Sequence, residues 1–315
     1  MILVTGGFGY IGSFTIKLLN KKNSISVDNL SRGNKFVKNY AQNFKLNINN
    51  TSKITNLVKK YNIDTILHLA AYTCVRESKK FPKLYKKNNL LDQKKFLKHV
   101  INLGVKKIIF ASSYSGEGYS SKNKKKFSPY ATYKILIEEY LKKMSLKNNI
   151  RIIVLRYPNV TGASKDGKLG EKNNRISRIF PTFYQNITNN KKIILYYDIK
   201  KKVFPTRNYV HVEDIANLNI KVIKFIQKTK KKFLLIKVNN KIQYTNKQIF
   251  NFMKTRLKKG SFIIKSLQKI EKLSNLNTED KKLKKLLGWK IFNSSIKNII
   301  DTNLKWFDKI YKRDL

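Results

Sequence analysis

The chain starts with an apolar strand-like run, a glycine-rich turn and a helical pattern. The run Ile2–Thr5 is followed by Gly6, Gly9 and Gly12 with the spacing G-x-x-G-x-x-G. Gly6 permits a tight turn, Gly9 lets the backbone approach a pyrophosphate, and Gly12 lets the helix pack on the strand. The helix start then offers N–H groups and a partial positive charge to phosphates. This start favours a βα unit that binds a dinucleotide, and the alternative is a glycine-rich turn with no ligand.

Asp28 ends the next strand-like run, Ser24–Asp28. A carboxylate at this place accepts hydrogen bonds from the adenosine ribose hydroxyls and repels a 2′-phosphate, which favours NAD over NADP. Arg32 and the lysines near it keep NADP open as an alternative. An ordinary turn residue before Asn29 is the other interpretation of Asp28.

Apolar runs alternate with helical patterns through the first half of the chain, which indicates a parallel sheet with helices on both faces. Predicted strands lie at 2–5, 24–28, 44–48, 65–69, 107–112, 151–156, 192–196 and 233–238. Predicted helices lie at 10–22, 52–61, 85–103, 129–146, 176–188, 212–228, 246–258 and 295–311. A polar loop is expected over 159–174. We therefore predict an α/β fold, with an NAD-binding domain over 1–160, joined by part of 207–230, and a substrate-binding lobe over 161–315.

Tyr130 and Lys134 stand four residues apart at a predicted helix start, so they share one helix face. A free phenol has a pKa of about 10, and lowering it by ~3 units requires roughly 4 kcal/mol of preference for the phenolate. A neighbouring ammonium and an oxidised nicotinamide ring, both cationic, can supply that preference. The phenolate would then act as general base on a substrate hydroxyl.

The spacing Tyr-x-x-x-basic is frequent by chance here, because the chain has 17 Tyr and 68 Lys plus Arg. Position distinguishes Tyr130 from the other matches, since a short loop connects it to the predicted strand 107–112 and Ser113. Ser113 is then placed to hydrogen-bond the same substrate oxygen, with strand-end capping as its alternative role. The candidate catalytic residues are Tyr130, Lys134 and Ser113.

These features together resemble the extended short-chain dehydrogenase/reductases, and among them the nucleotide-sugar 4-epimerases. The resemblance is carried by the segments 5–13, 28–30, 68–71, 77–78, 88–89, 155–159, 166–171, 207–214 and 286–289, and by the three candidate catalytic residues. It implies a Rossmann-like doubly wound parallel sheet with a smaller C-terminal α/β substrate lobe. It also implies a homodimer, formed through the helices near 85–103 and 129–146.

The activity that the resemblance implies is epimerisation of a UDP-hexose, of the UDP-glucose/UDP-galactose type, at C4. Tyr130 would take the proton from the 4-hydroxyl as hydride leaves C4 for NAD, and the hydride would return to the other face of the 4-keto sugar. The implied cofactor contacts are Gly6, Gly9, Tyr10, Ile11, Gly12, Asp28, Asn29, Asn47, Ile48, Leu69, Ala70, Ala71, Asn89 and Pro158. The implied substrate contacts are Ser113, Tyr130, Asn159, Arg178 and Arg207.

Three of these positions depart from the pattern of the family. Asn47 stands where the family has an adenine-contacting Asp, and Pro158 replaces a Phe before the substrate Asn. Arg178 replaces the Asn that opens a helix of the substrate lobe. Further departures stand at 238–241 and at Ser266, so the dinucleotide-binding segments follow the family pattern more closely than the substrate-binding segments do.

Two other functions remain open from the sequence. A nucleotide-sugar 4,6-dehydratase would need an acid pair directly after the catalytic hydroxyl, where Tyr114 and Ser115 stand, although Glu117 is close. A non-catalytic polyanion-binding protein is the other alternative, because the formal net charge is +50. The charge is mostly lysine, spread along the whole chain together with many Asn and Ile, which favours a compositional bias over a binding surface.

Composition also bounds partners and location. The chain has no apolar run near the ~18 residues that a membrane span needs, and we expect no signal peptide. Cys74 is its single cysteine, which fits a reducing cytoplasm. We expect a cytoplasmic enzyme with no specific nucleic-acid partner, no membrane partner and no metal site.

Overall fold

A computed structural model describes residues 1–19, 22–33, 40–120, 122–123, 127–171, 178–267 and 280–311, and leaves out the side chains of 280–282. The predicted elements at 20–21 and 172–177 lie outside this range. The strands are β1 (Ile2–Thr5), β2 (Ser24–Asp28), β3 (Gln42–Lys45), β4 (Thr65–His68), β5 (Lys107–Ser113), β6 (Arg151–Tyr157), β7 (Asn159–Thr161), β8 (Ile193–Asp198), β9 (Thr206–His211), β10 (Phe233–Lys237), β11 (Gln243–Thr245) and β12 (Phe262–Leu267).

The helices alternate with the strands in the first half and cluster near the end of the chain. They are α1 (Tyr10–Leu18), α2 (Thr51–Lys60), α3 (Val75–Lys80), α4 (Pro82–Lys86), α5 (Asp92–Asn102), α6 (Pro129–Lys147), α7 (Ile179–Thr188), α8 (Val212–Lys228), α9 (Asn246–Leu257), α10 (Asp280–Leu287) and α11 (Ile296–Tyr311). A π-helical turn, Lys87–Leu91, joins α4 to α5, and a 3₁₀ turn, Tyr114–Gly116, follows β5.

The chain divides into two compact units. The first unit comprises Met1–Tyr157, Ile215–Val238 and Leu283–Trp289, and the second comprises Pro158–Asp214, Asn239–Lys282 and Lys290–Leu315. The assignment of cofactor and substrate to separate domains stays a prediction.

In the first unit, seven described strands form one parallel sheet in the order β10-β6-β5-β4-β1-β2-β3. The order reverses at β1, because β2 and β3 lie on one side of it and β4 to β6 on the other. In such doubly wound sheets, ligands bind at the carboxyl ends of the strands near this reversal. The predicted Rossmann-like fold is thereby confirmed, and the glycine turn after β1 lies at the place where a ligand is expected.

The core of this unit follows from the register of its strands. Leu3 pairs with Ile25 on one side and Ile66 on the other, and Ile66 pairs with Ile108, which pairs with Ile152. All five side chains are completely buried. Each contributes about 1.5–3 kcal/mol by leaving water. This apolar row fixes the register, and so it fixes which residues end each strand at the ligand edge.

The second unit contains two small sheets, β11-β9-β7 and β12-β8. Its core gathers large side chains from α7, α9 and α11, including Tyr184, Phe250 and Trp306. The prediction of an irregular loop from residue 159 is wrong at its start, because β7 pairs with β9 there. β7 has only three residues and β9 is mostly polar, so neither shows the apolar run that identifies a buried strand in sequence.

Strand β3 also differs from its prediction, since it covers Gln42–Lys45 instead of 44–48. The alternating apolar residues continue to Ile48, but the partner strand β2 ends at Asp28, which pairs with Lys45. The strand therefore ends where its partner ends. None of the described helices is long and apolar enough to cross a membrane, and the cytoplasmic location stays a prediction.

Candidate functional site

In the glycine turn after β1, the backbone lies very close to neighbouring backbone atoms. Gly6 has a φ of +71°, and a Cβ added to it would lie 2.7 Å from the backbone nitrogen of Ala70. A Cβ on Gly12 would lie 2.1 Å from the carbonyl oxygen of Gly6. Helix α1 begins directly after Gly9, its N-cap. The turn therefore admits only glycine at these places and leaves the first turn of α1 open to a phosphate.

Asp28 is anchored at the end of β2. Its Oδ2 accepts from the Phe8 N–H (3.1 Å) and its Oδ1 from the Leu30 N–H (2.8 Å). Burial raises the pKa of Asp28 above its ordinary value, and the backbone hydrogen bonds from Leu30, Phe8 and Gly9 act in the opposite direction. A carboxylate oxygen accepts more than one hydrogen bond, so this carboxyl group can also accept from ribose hydroxyls.

An open groove runs along this edge of the first unit. It brings together most of the cofactor contacts implied by the sequence: Gly6, Gly9, Asp28, Asn29, Asn47, Ile48, Leu69, Ala70 and Ala71. Among the other lining residues, Asn88 belongs to the segment 88–89 that the sequence indicated, whereas the sequence did not indicate Ser31, Gly33, Tyr72 or Asp92. The groove has a glycine floor at the helix start and a carboxylate at the strand end. These two features fit the pyrophosphate and the adenosine ribose of NAD.

The remaining cofactor candidates are not among the described residues that line the groove. Tyr10 and Ile11 belong, with Gly12, to the first turn of α1. Asn89 is fully buried, and its side chain donates to the Tyr72 carbonyl (2.7 Å) and accepts from the Tyr72 N–H (3.0 Å). Its role in this structure is to hold Tyr72 in the groove wall. Pro158 is the first residue of the second unit.

Tyr130 and Lys134 lie in the first two turns of α6, whose N-cap Ser128 accepts from the Ala131 N–H. Both side chains are buried, with Tyr130 7% and Lys134 3% exposed. The Lys134 ammonium donates to the Ala111 carbonyl of β5 (2.6 Å) and lies 4.6 Å from the ring centroid of Phe110. The lysine thus connects the tyrosine helix to the strand that ends at Ser113.

Burial lowers the pKa of Lys134 from 10.5 to about 7, although the charge of Glu138 acts to raise it. One carbonyl and one aromatic face do not replace the hydration of an ammonium, which explains the direction. The lysine is consequently close to its titration point at neutral pH. A negative charge that develops nearby would favour its protonated form.

Ser113 ends β5 beside the 3₁₀ turn. Its hydroxyl oxygen accepts from the Ser115 N–H (3.2 Å) and from the Ser115 hydroxyl (3.0 Å). With both acceptor positions used, its own O–H can be donated to a substrate oxygen. The capping role and the substrate role of Ser113 are therefore compatible.

A chain of charges behind the catalytic candidates is not evident in the sequence. Glu138 is 4% exposed and accepts from Ser112 and, at 2.6 Å, from the Arg156 Nη2. The Arg156 Nη1 donates to Glu117 (2.6 Å), and the Lys237 ammonium donates to its other oxygen (2.5 Å). These contacts tie α6, β5, β6 and β10 together.

Glu117 was the residue that kept a dehydratase open. Burial alone would raise the pKa of Glu117, but hydrogen bonds and charges from Lys237 and Arg156 outweigh it and hold the pKa below its ordinary value. A proton donor for the loss of water must be protonated before it acts. The carboxylate of Glu117 is ionised and occupied by two cations, so it does not fit that role.

We therefore expect the Glu117→Gln variant to form the same nucleotide-sugar products as the wild type. The amide removes the charge that binds Arg156 and Lys237, so the free energy of unfolding should fall by about 1–3 kcal/mol. Product analysis and denaturant unfolding of the same preparation measure both effects. Loss of a 4-keto-6-deoxy product on this substitution would instead assign Glu117 to dehydration.

The implied substrate contacts of the second unit surround β7 and β9. The Asn159 side chain donates to the Asn208 carbonyl (3.0 Å). Arg178 forms an ion pair with Glu171 (2.8 Å), and Arg207 donates to the Thr206 carbonyl (2.8 Å). Among the described residues, no group of His, Cys, Asp and Glu is placed to hold a metal ion.

Comparison with known proteins identifies the family. Residues 2–235 match the model of the NAD-dependent epimerase/dehydratase family. The chain belongs to this family. Its resemblance to the nucleotide-sugar enzymes, inferred from the sequence, is thereby confirmed, together with its dependence on NAD.

Individual relatives cover almost the whole chain. The UDP-glucose 4-epimerase of Lactobacillus helveticus is 28% identical over an alignment that covers 97% of this chain and 96% of the relative. The crystal structure of UDP-glucose 4-epimerase from Bifidobacterium longum in complex with NAD⁺ and UDP gives a TM-score of 0.85 at 26% identity, with 98% of both chains covered. The structure of UDP-glucose 4-epimerase from Stenotrophomonas maltophila gives a TM-score of 0.87 at 20% identity, covers 100% of this chain and 99% of that one, and shows the shared fold.

Proposed function

We propose that the chain interconverts the C4 epimers of a UDP-hexose, of the UDP-glucose and UDP-galactose type, with NAD held in the groove of the first unit. The observation that carries the proposal is the joining of Tyr130, Lys134 and Ser113 to that groove by one sheet. Lys134 contacts β5, and β5 pairs with β4, which pairs with β1, the strand before the glycine turn. The 4-epimerases among the relatives support the reaction type.

Three side chains would act on the sugar 4-hydroxyl. Tyr130 takes its proton as a phenolate, and the Lys134 ammonium favours that phenolate by its charge. Ser113 donates its O–H to the same oxygen and so holds it near the tyrosine. The bound NAD supplies a reversible hydride acceptor, which makes the reaction free of net oxidation.

The groove residues would hold the cofactor. Asp28 accepts from the adenosine ribose, and the first turn of α1 beyond Gly9 binds the pyrophosphate. In the second unit, Arg207 would bind the pyrophosphate of the UDP-sugar, because guanidinium groups match phosphate geometry. Asn159 and Arg178 complete the proposed substrate contacts.

Purified protein tests this proposal. It should contain NAD without any being added, and it should convert UDP-galactose to an equilibrium mixture with UDP-glucose. Nucleotide-sugar analysis by chromatography or NMR measures the products. Protein that contains NAD but forms only a 4-keto-6-deoxy sugar would make the chain a dehydratase.

We also propose a homodimer formed by the helical segment 82–102 and α6. Leu84 and Leu91 are 42% and 52% exposed on that segment, and Tyr133 and Tyr140 of α6 are only partly buried. Large apolar side chains exposed on adjacent helices favour burial against a second copy.

Light scattering after size exclusion should then give twice the chain mass of 36.9 kDa. Leu91→Lys should shift the protein towards a single chain, because it introduces a charge into the contact. Phe292→Lys is the matched control, since Phe292 is 78% exposed in the second unit. Wild-type protein with the mass of one chain would contradict the dimer.

A further inference from the structure

Arg32 lies in the groove wall, four residues after Asp28. Its guanidinium lies 3.7 Å from the ring centroid of Tyr72, another wall residue. Its Nη2 lies 2.7 Å from Oε2 of Glu77 on α3. The arginine is thus stacked on one face and paired at its end, which restrains a side chain that would otherwise be flexible.

Glu77 is held in place by contacts other than Arg32. It is buried, and the Tyr85 hydroxyl donates to its Oε2 (2.8 Å). That hydroxyl accepts in turn from the Cys74 N–H (3.1 Å). The carboxylate therefore stays oriented towards Arg32, and a buried carboxylate with these partners retains the arginine strongly.

The pair lies at the part of the groove where the adenosine ribose is proposed to bind. Gly33, the neighbour of Arg32, is so near Asp28 that a Cβ there would lie 3.4 Å from Asp28 Oδ1. An arginine beside this carboxylate is the kind of group that accommodates a 2′-phosphate. Here the positive charge of Arg32 is balanced by Glu77, so the negative charge of Asp28 is left to repel a phosphate.

We propose that Glu77 sets the selection of NAD over NADP by holding and neutralising Arg32. The inference rests on the cofactor placement proposed above. Glu77 is a positioning residue, because it acts through Arg32 and does not itself line the groove. From the sequence alone, Arg32 keeps NADP open as a cofactor. Its ion pair with Glu77 instead favours NAD.

The test compares the affinities of NAD and NADP for the full chain after its nucleotide has been removed. Glu77→Gln keeps the size and the acceptor oxygen but removes the charge. Calorimetric titration should show the NADP affinity rising roughly tenfold relative to that of NAD, equivalent to ~1.4 kcal/mol. An unchanged ratio of the two dissociation constants would overturn the proposal.

Three further variants separate charge from structure. Glu77→Gln combined with Arg32→Gln should return the ratio to the wild-type value or below it. Arg32→Gln alone removes the positive charge that neutralises Glu77, so the affinity for NADP should fall roughly tenfold relative to that for NAD. This variant tests the proposal if Glu77→Gln does not fold. Glu139→Gln removes a carboxylate from an exposed position of α6, and it should leave the ratio unchanged. A shift of similar size in Glu139→Gln would assign the effect to net charge and contradict the proposal.

The outcome is independent of the sugar chemistry. If the ratio shifts while the wild-type protein does not interconvert UDP-galactose and UDP-glucose, the role of Glu77 stands and the proposed function fails. If the protein interconverts the sugars while the ratio stays constant in all variants, the function stands and the role of Glu77 fails.

Discussion

The Tyr130→Phe variant is expected to lose turnover by about 10²- to 10⁴-fold while it still contains NAD. The phenyl ring fills the same buried space but cannot take the proton of the sugar hydroxyl. The substitution leaves the buried volume almost unchanged, so the fold should be retained. Steady-state rates with UDP-galactose, together with the amount of NAD released on denaturation, measure the two effects.

Tyr133→Phe is the matched control for that variant. Tyr133 lies one turn further along α6, is partly buried, and lacks the proposed role. It should keep most of the turnover. Equal losses in the two variants would point to damage of the helix, and an unaffected rate in Tyr130→Phe would remove Tyr130 from the role of base.

Lys134→Met is expected to lower turnover by about 10²-fold or more, because removing the ammonium takes away the charge that favours the phenolate. Lys142→Met is its control, since Lys142 is an exposed lysine on the same helix. The residual rate of Lys134→Met should also need a higher pH, because a phenol without a neighbouring cation has a higher pKa. A rate and a pH profile equal to those of the wild type would contradict the role of Lys134.

The pH dependence of the stability of the nucleotide-free protein should also reflect the pKa of Lys134. Its pKa is about 7 in the fold and 10.5 in the unfolded chain, so between these values the unfolded state binds more protons. As the pH falls from 10.5 to about 7, Lys134 therefore lowers the free energy of unfolding of the wild type. Below about pH 7 this destabilisation stays constant. Lys134→Met lacks this cost and should gain stability relative to the wild type across that window. Denaturant unfolding at several pH values measures the difference between the two proteins, and a difference that is constant with pH would contradict the lowered pKa of Lys134.

The first unit could be predicted largely from sequence, because its signals are local. The apolar runs of a doubly covered sheet are continuous, and the glycine turn stands between a strand and a helix. The order of the elements and the phosphate turn follow from these patterns. The strand ends are less certain from sequence, as β3 shows, since pairing with β2 decides where β3 stops.

The residues of the groove wall were less predictable from sequence than the glycines at the start of α1. The sequence indicates both asparagines at 88–89, but only the fold shows that Asn88 lines the groove while Asn89 holds the backbone of Tyr72. Arg32 and Glu77 lie 45 residues apart in sequence and meet through tertiary structure. No local pattern predicts such an ion pair.

The charge chain through Glu138, Arg156, Glu117 and Lys237 shows the same limit. Its members come from separate elements, and each alone resembles one more charged residue in a chain with net charge +50. Their burial and mutual distances distinguish them from the exposed lysines. The second unit was the hardest to predict, because β7 has only three residues and β9 is mostly polar.

Isotopic labelling at C4 of the sugar tests the proposed epimerisation directly. UDP-glucose that carries deuterium at C4 is incubated with the purified protein, and the UDP-galactose formed is examined by NMR and mass spectrometry. Reversible hydride transfer within one site predicts that the deuterium stays at C4 and that no hydrogen from the solvent enters the sugar. Loss of the label to the solvent, or its appearance at C6 of a 4-keto-6-deoxy sugar, would contradict reversible hydride transfer at C4.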